Sequence, residues 1–148
     1  MIAVQSLYAA VAVPLLVFAG IAGPQPRMGA ALSTAAGVAV AVALYLVFAR
    51  STARPPRRLA LPAAVGAVNE EIVWRWGALA GTAPYISWPG AFALSTVVFA
   101  GTHTRTATFA YIIIGGAFAA VFLATGQLIA AIAAHGTYNL LVLLWRRP

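Results

Sequence analysis

Long apolar runs, separated by short clusters of proline, glycine and arginine, organise this chain. The first covers about residues 3 to 22 and closes at Gly23-Pro24-Gln25-Pro26, a turn-forming sequence. A second runs from about 28 to 49 and stops at Arg50. It is followed by the one clearly polar connector, RSTARPPRRL, whose Pro-Pro pair cannot continue a helix. Further runs cover about 61 to 80, 88 to 103, 107 to 124 and 127 to 145, the last capped by Arg146 and Arg147. Each run is near the length of about 20 residues that an α-helix needs to cross a bilayer. The pattern predicts an all-α, polytopic membrane bundle of about six helices, forming a single domain over residues 1–148. The first run has no basic residue before it and is longer than a usual signal core, so it is read as a helix in preference to a cleaved signal peptide.

Composition agrees with this pattern. Hydrophobic residues make up 63% of the chain and charged residues 7%, and the mean hydropathy is +0.94, whereas soluble domains carry about 25% charged residues. The absence of cysteine excludes a disulfide framework, a thiolate zinc site and a cysteine nucleophile. The net charge of +7 comes entirely from arginines, most of them at the ends of apolar runs. Such charges set topology and meet anionic lipid headgroups; nucleic acid is not an expected partner.

With a cytoplasmic amino terminus and six spans, Arg50, Arg54, Arg57, Arg58, Arg105, Arg146 and Arg147 fall on the cytoplasmic side and only Arg27 on the other. Seven against one is the asymmetry of the positive-inside rule, and it places both termini in the cytoplasm. The ninth arginine, Arg75, is left inside the third span beside Glu70 and Glu71, the only acidic residues present.

This orientation gives the polar residues a depth. The third span reaches Glu70 about nine residues in from the cytoplasm, and the fourth brings His103 back to the same side. On the sixth, His135 and Asn139 lie about 9 to 15 Å inside, at about 1.5 Å per residue. Both carboxylates and both histidines of the chain can therefore meet in one layer. His135 and Asn139 are four residues apart, as are Glu71 and Arg75 and also Phe99 and His103, so each pair shares a helix face. Adjacent Glu70 and Glu71 point about 100° apart, which lets Glu71 pair with Arg75 while Glu70 faces a cavity. Several of these residues have ordinary structural explanations. Histidine and asparagine serve as hydrogen-bonding glue between membrane helices, Phe99 suits a core, Glu71 with Arg75 suits a buried structural ion pair, and Trp74, Trp76, Trp88 and Trp145 suit interfaces or packing. Glu70 has no second basic partner nearby in sequence, and an intramembrane ionisable residue is by default a functional candidate.

EEIVWR at 70–75 fits EExxxR, FAGTH at 99–103 fits FxxxH, and HGTYN at 135–139 fits HxxxN, in that order and on successive spans. Residues 64–145 thereby resemble the catalytic core of the CPBP family of intramembrane proteases, also called the Abi or CAAX-protease family. Family members usually carry more helices before the EExxxR segment than the two spans found here. The resemblance implies peptide-bond hydrolysis on a membrane-associated peptide or protein. It implies Glu70 as general base with His103 helping to hold the water, His135 and Asn139 as oxyanion donors, and Glu71, Arg75 and Phe99 in support.

A carboxylate in a poorly solvated site is suited to activating water, and donors aimed at a developing oxyanion accelerate such a reaction. The alternative is a zinc-dependent version in which Glu70, His103 and His135 hold the metal. No HExxH helix is present and asparagine is an uncommon zinc ligand, so the mechanism without a cofactor is preferred. Two other classes are a small proton-coupled transporter, which could use the same carboxylate and histidines, and a non-catalytic family member acting as a scaffold or bacteriocin immunity factor. The Ala-rich, lysine-free composition looks like that of a GC-rich bacterium, which would place the chain in the inner membrane. A peptide precursor or membrane-protein segment is then the expected substrate.

Overall fold

The computed structural model describes Ala10, Gly20 and residues 22–48, 59–103 and 108–145. The first expected span, apart from Ala10, Gly20 and residue 22, lies outside the described residues, as do the connector 49–58, Arg105, Arg146 and Arg147. All regular structure among the described residues is helical: α1 (Ala30–Phe48), α2 (Ala60–Glu71), a π-helical segment (Ile72–Ala80), α3 (Gly81–Gly101), α4 (Thr108–Thr125) and α5 (Leu128–Leu144). In hydrocarbon a segment must satisfy its own backbone N–H and C=O groups, and apolar sequences do so by coiling into helices. By length and composition α1 and α4 can cross a membrane, while α5 is apolar but shorter.

Packing relies on small residues. Helix α1 turns Ser33, Gly37, Ala41, Leu44 and Tyr45 inward, a stripe at three- and four-residue spacing, and leaves Leu32, Val38, Val42, Leu46 and Val47 exposed. At Gly37 a Cβ would collide with the Ala130 carbonyl of α5. The missing side chain therefore lets the two backbones approach closely, as small residues do in lipid. At the far end of the same helix pair, the Tyr45 hydroxyl donates to the Trp145 carbonyl at 2.9 Å.

A two-residue turn joins α4 to α5. Gly126 adopts φ +71° and donates its N–H to the Phe122 carbonyl at 2.8 Å, the left-handed ending that glycine accepts without strain. A side chain there would meet the Gln25 carbonyl. The Arg27 N–H donates to the Thr125 carbonyl at 2.8 Å and the Gln127 amide donates to the Met28 carbonyl, which ties the approach to α1 onto this turn.

Two features of these helices matter for the site. The third and fourth spans, expected at 61–80 and 88–103, lie on a helical path from Ala60 to Gly101 that folds back on itself and brings Ser95 against Trp74 and Arg75. It breaks at Ser87 (φ 70°, ψ 159°), between Pro84 and Pro89. Proline disfavours helical geometry in the residue before it and removes a backbone donor, so the bend falls among these prolines. In addition, α3 ends at Gly101, so His103 follows the helix in its terminal turn.

The interior forms two clusters. One joins Leu44, Phe99, Ile114, Phe118, Val121, Ala130 and Ala134, and the other joins Leu79, Ala80, Ala83, Ala91, Ala119, Phe122 and Ala131. Helix α4 contributes to both, and the first cluster forms the floor of the candidate site.

Candidate active site

The two adjacent acids have different environments. Glu71 closes α2 with its side chain 0% exposed, whereas the Glu70 side chain is 20% exposed. Glu71 Oε2 accepts from Arg75 Nε at 2.8 Å. Its other oxygen, Oε1, lies 2.8 Å from His135 Nδ1. The carboxylate thus joins the start of the π-helical segment to α5.

Arg75, also 0% exposed, donates from Nη1 to Ser95 Oγ of α3 at 3.0 Å, and Ser95 donates to the Trp74 carbonyl at 2.8 Å. The guanidinium carbon lies 5.1 Å from the centre of the Phe99 ring, a cation-π distance. A buried ion pair is supported by hydrogen bonds to its remaining polar atoms; His135 and Ser95 supply two, at Glu71 Oε1 and Arg75 Nη1, while Arg75 Nη2 has none among the described residues.

Glu70 Oε2 faces both imidazoles, 3.8 Å from His103 Nε2 and 4.0 Å from His135 Nε2. The opposite ring nitrogens fix the tautomers. His103 Nδ1 lies 2.7 Å from the Phe99 carbonyl, which can only accept, so that nitrogen carries the hydrogen. His135 Nδ1 faces the Glu71 carboxylate in the same way. In their neutral forms both rings therefore present an Nε2 lone pair toward Glu70. Asn139, one turn beyond His135, places Nδ2 3.5 Å from the Ala63 carbonyl of α2.

Glu70, His103, His135 and Asn139 line a single cavity of about 410 Å³. Its other walls are apolar and aromatic, including Pro62, Tyr111, Phe118, Tyr138 and Val142. The four residues singled out from the sequence as the reactive set thus share one cavity, and Glu71 and Arg75 lie buried behind it.

Phe99, expected in a supporting place, sits at the centre with 1% exposure. Its ring centre is 4.4 Å from that of His103, 5.9 Å from that of His135 and 6.4 Å from that of Trp74. Gly115 makes room for it, since a Cβ there would come within 2.5 Å of the Phe99 ring. Ser95, Tyr111, Gly115 and Phe118 escaped the reading of the sequence. Each is an ordinary residue of an apolar span, and its proximity to the site comes from helix packing.

A zinc site can be tested on the donors. Glu70 Oε2 approaches the two Nε2 atoms pairwise, yet the described residues include no group of three or more His, Cys, Asp or Glu that could hold a metal ion. Asn139, also in the cavity wall, places Nδ2 near the Ala63 carbonyl.

No curated protein and no solved structure matches the chain. Residues 52–141 match the family described as type II CAAX prenyl endopeptidase Rce1-like, a span that contains Glu70, Glu71, Arg75, Phe99, His103, His135 and Asn139. Members of that family are membrane-embedded proteases acting on membrane-associated substrates. With three ordered motifs, a cavity that gathers their side chains and a match over most of its length, the chain belongs to the CAAX-type endopeptidase family.

Proposed function

We propose that the chain is an intramembrane endopeptidase in which Glu70 and His103 activate a water and His135 and Asn139 stabilise the oxyanion. The observation that carries this reading is the convergence of both histidine Nε2 atoms on Glu70 Oε2, at 3.8 and 4.0 Å, in the wall of one cavity. A water about 2.8 Å from both Glu70 Oε2 and His103 Nε2 can hydrogen-bond to each. Glu70 removes one of its protons as the water oxygen bonds to the scissile carbonyl carbon and the C=O electron pair moves onto oxygen. Asn139 Nδ2–H donates to that oxygen. His135 donates from Nε2 in the form in which both ring nitrogens carry hydrogen. Collapse of the intermediate breaks the C–N bond, and Glu70 returns its proton to the leaving amine.

The six-span topology with both termini in the cytoplasm is part of the same proposal. It is supported by the arginine asymmetry, and it puts the cavity in the cytoplasmic half, because the walls come from the start of α2 and the end of α5. The core at 64–145 then carries the chemistry within a bacterial inner membrane. The apolar walls suit a peptide precursor or membrane-protein segment entering from the cytoplasmic side.

Membrane and secreted peptides from cells carrying wild-type protein or Glu70→Gln, compared by mass spectrometry, test the reading. The expected result is at least one peptide whose cleaved form is present only with the wild type. Identical peptide sets would favour a transporter or a scaffold. Exhaustive chelation of purified protein is expected to leave the cleavage rate unchanged. Loss of activity on chelation, with stoichiometric zinc that is lost when either histidine is replaced, would establish the metal-dependent mechanism instead.

A further inference from the structure

Helix α4 contains no acid, base or motif residue, yet one of its faces meets both site histidines. Tyr111 stacks on His103 with ring centres 4.4 Å apart and planes 30° apart. Phe118, seven residues on, stacks on His135 at 4.9 Å and 22°. Seven residues are two helical turns, so the two rings project from the same face about 10 Å apart. Gly115 lies between them and leaves the space that the Phe99 ring occupies. Phe99 also contacts His103, with ring centres 4.4 Å apart and planes tilted by 43°.

The stacking supplies a restraint that the hydrogen bonds lack. Each imidazole is tethered through Nδ1, His103 to the Phe99 carbonyl and His135 to Glu71. One hydrogen bond fixes a distance and a tautomer but allows the ring to pivot about the donor-acceptor line, which would swing Nε2 away from Glu70. A flat ring against the imidazole face blocks that pivot, and offset or parallel aromatic contacts are themselves favourable.

We infer that Tyr111 and Phe118 are positioning residues, one for each histidine, and that α4 is the wall which keeps both Nε2 atoms aimed at Glu70. The catalytic consequence rests on the proposed protease reading, whereas the orientation of the rings does not. Tyr111 is the better test, because it is half-buried and its ring edge lines the cavity, while Phe118 is fully buried.

His103 and His135 are the only histidines in the chain, so protein labelled with 15N-histidine and purified without a histidine tag gives one pair of ring-nitrogen signals for each. Wild-type protein is expected to show one defined set of ring-nitrogen signals for each histidine, with Nδ1 protonated in both. Tyr111→Leu is expected to give averaged tautomers at His103 and leave His135 unchanged, and Phe118→Leu the reverse. Tyr111→Phe, which keeps the ring, is expected to restore the His103 pattern.

Once a cleaved peptide is known, Tyr111→Leu is expected to lower kcat on the order of 10- to 100-fold with little change in KM, the scale of a reactive group displaced by about 1 Å. Tyr111→Phe should recover most of that loss. An unchanged His103 signal in Tyr111→Leu overturns the inference, as does equal disturbance of both histidines. If the ring signals shift as expected but no cleavage is found even in the wild type, the positioning role stands and the protease reading fails. Should Phe118→Leu not fold, the two Tyr111 variants decide the matter.

Discussion

Glu70→Gln is expected to reduce peptide cleavage about 100- to 10,000-fold, the range supplied by general acid-base groups, while leaving the protein folded in the membrane. The substitution keeps the size of the side chain and its place in the cavity wall but removes the ability to take a proton from water. Folding should survive because the side chain is 20% exposed and neither Arg75 nor the Glu71 carboxylate depends on it among the interactions described above. The measurement is kcat and KM on a cleaved peptide, beside the melting temperature of the same preparation in detergent. A lowered kcat with unchanged KM and melting temperature fits a base acting in the transition state. Substantial residual activity would sink the assignment of Glu70 as base and move attention to Glu71.

Arg75→Leu is expected to fail in the opposite way, with loss of folded protein. Glu71 is 0% exposed and its Oε2 is held by Arg75 at 2.8 Å. Without the guanidinium, a buried carboxylate keeps only His135 from this network, and Ser95 loses the donor that reaches it from the π-helical segment. Removing one partner from a buried pair costs about 3 to 5 kcal/mol, a large part of the roughly 5 to 15 kcal/mol by which a protein is stable. Glu71→Gln should be milder, since an amide oxygen can still accept from Arg75 or His135. Yield of monodisperse protein and its melting temperature are the readouts, with wild type and Glu70→Gln measured in parallel. If Arg75→Leu melts with the wild type and is inactive, the pair takes part in the chemistry and is not a brace.

The contrast between these variants turns on a distinction that was only half legible in the sequence. Helical spacing is enough to pair Glu71 with Arg75 and to turn Glu70 elsewhere, because both relations are local and follow from 3.6 residues per turn. The bond from Glu71 to His135 spans 64 residues of sequence and depends on how α5 is rotated against α2. No local rule contains that rotation. The same holds for Ser95 beneath Arg75, and for the tautomers of the two histidines, which are fixed by a carbonyl on one side and a carboxylate on the other.

By itself the sequence determined the helical class and the family, and it singled out the acids and histidines that come to share one cavity. Hydropathy alone selects helices in lipid, and a chain with two acids and two histidines offers few ways to build a hydrolytic site. Tertiary structure alone decided which face of each helix meets the others. Helix α4 is apolar throughout, so it lacks the contrast between polar and apolar faces that would mark an inward side in a soluble protein. Its inward side is chosen instead by shape: Gly115 admits Phe99, Tyr111 meets His103, and Phe118 meets His135. Close packing of this kind depends on the backbones that surround each residue, and for that reason it could be seen only in the folded chain.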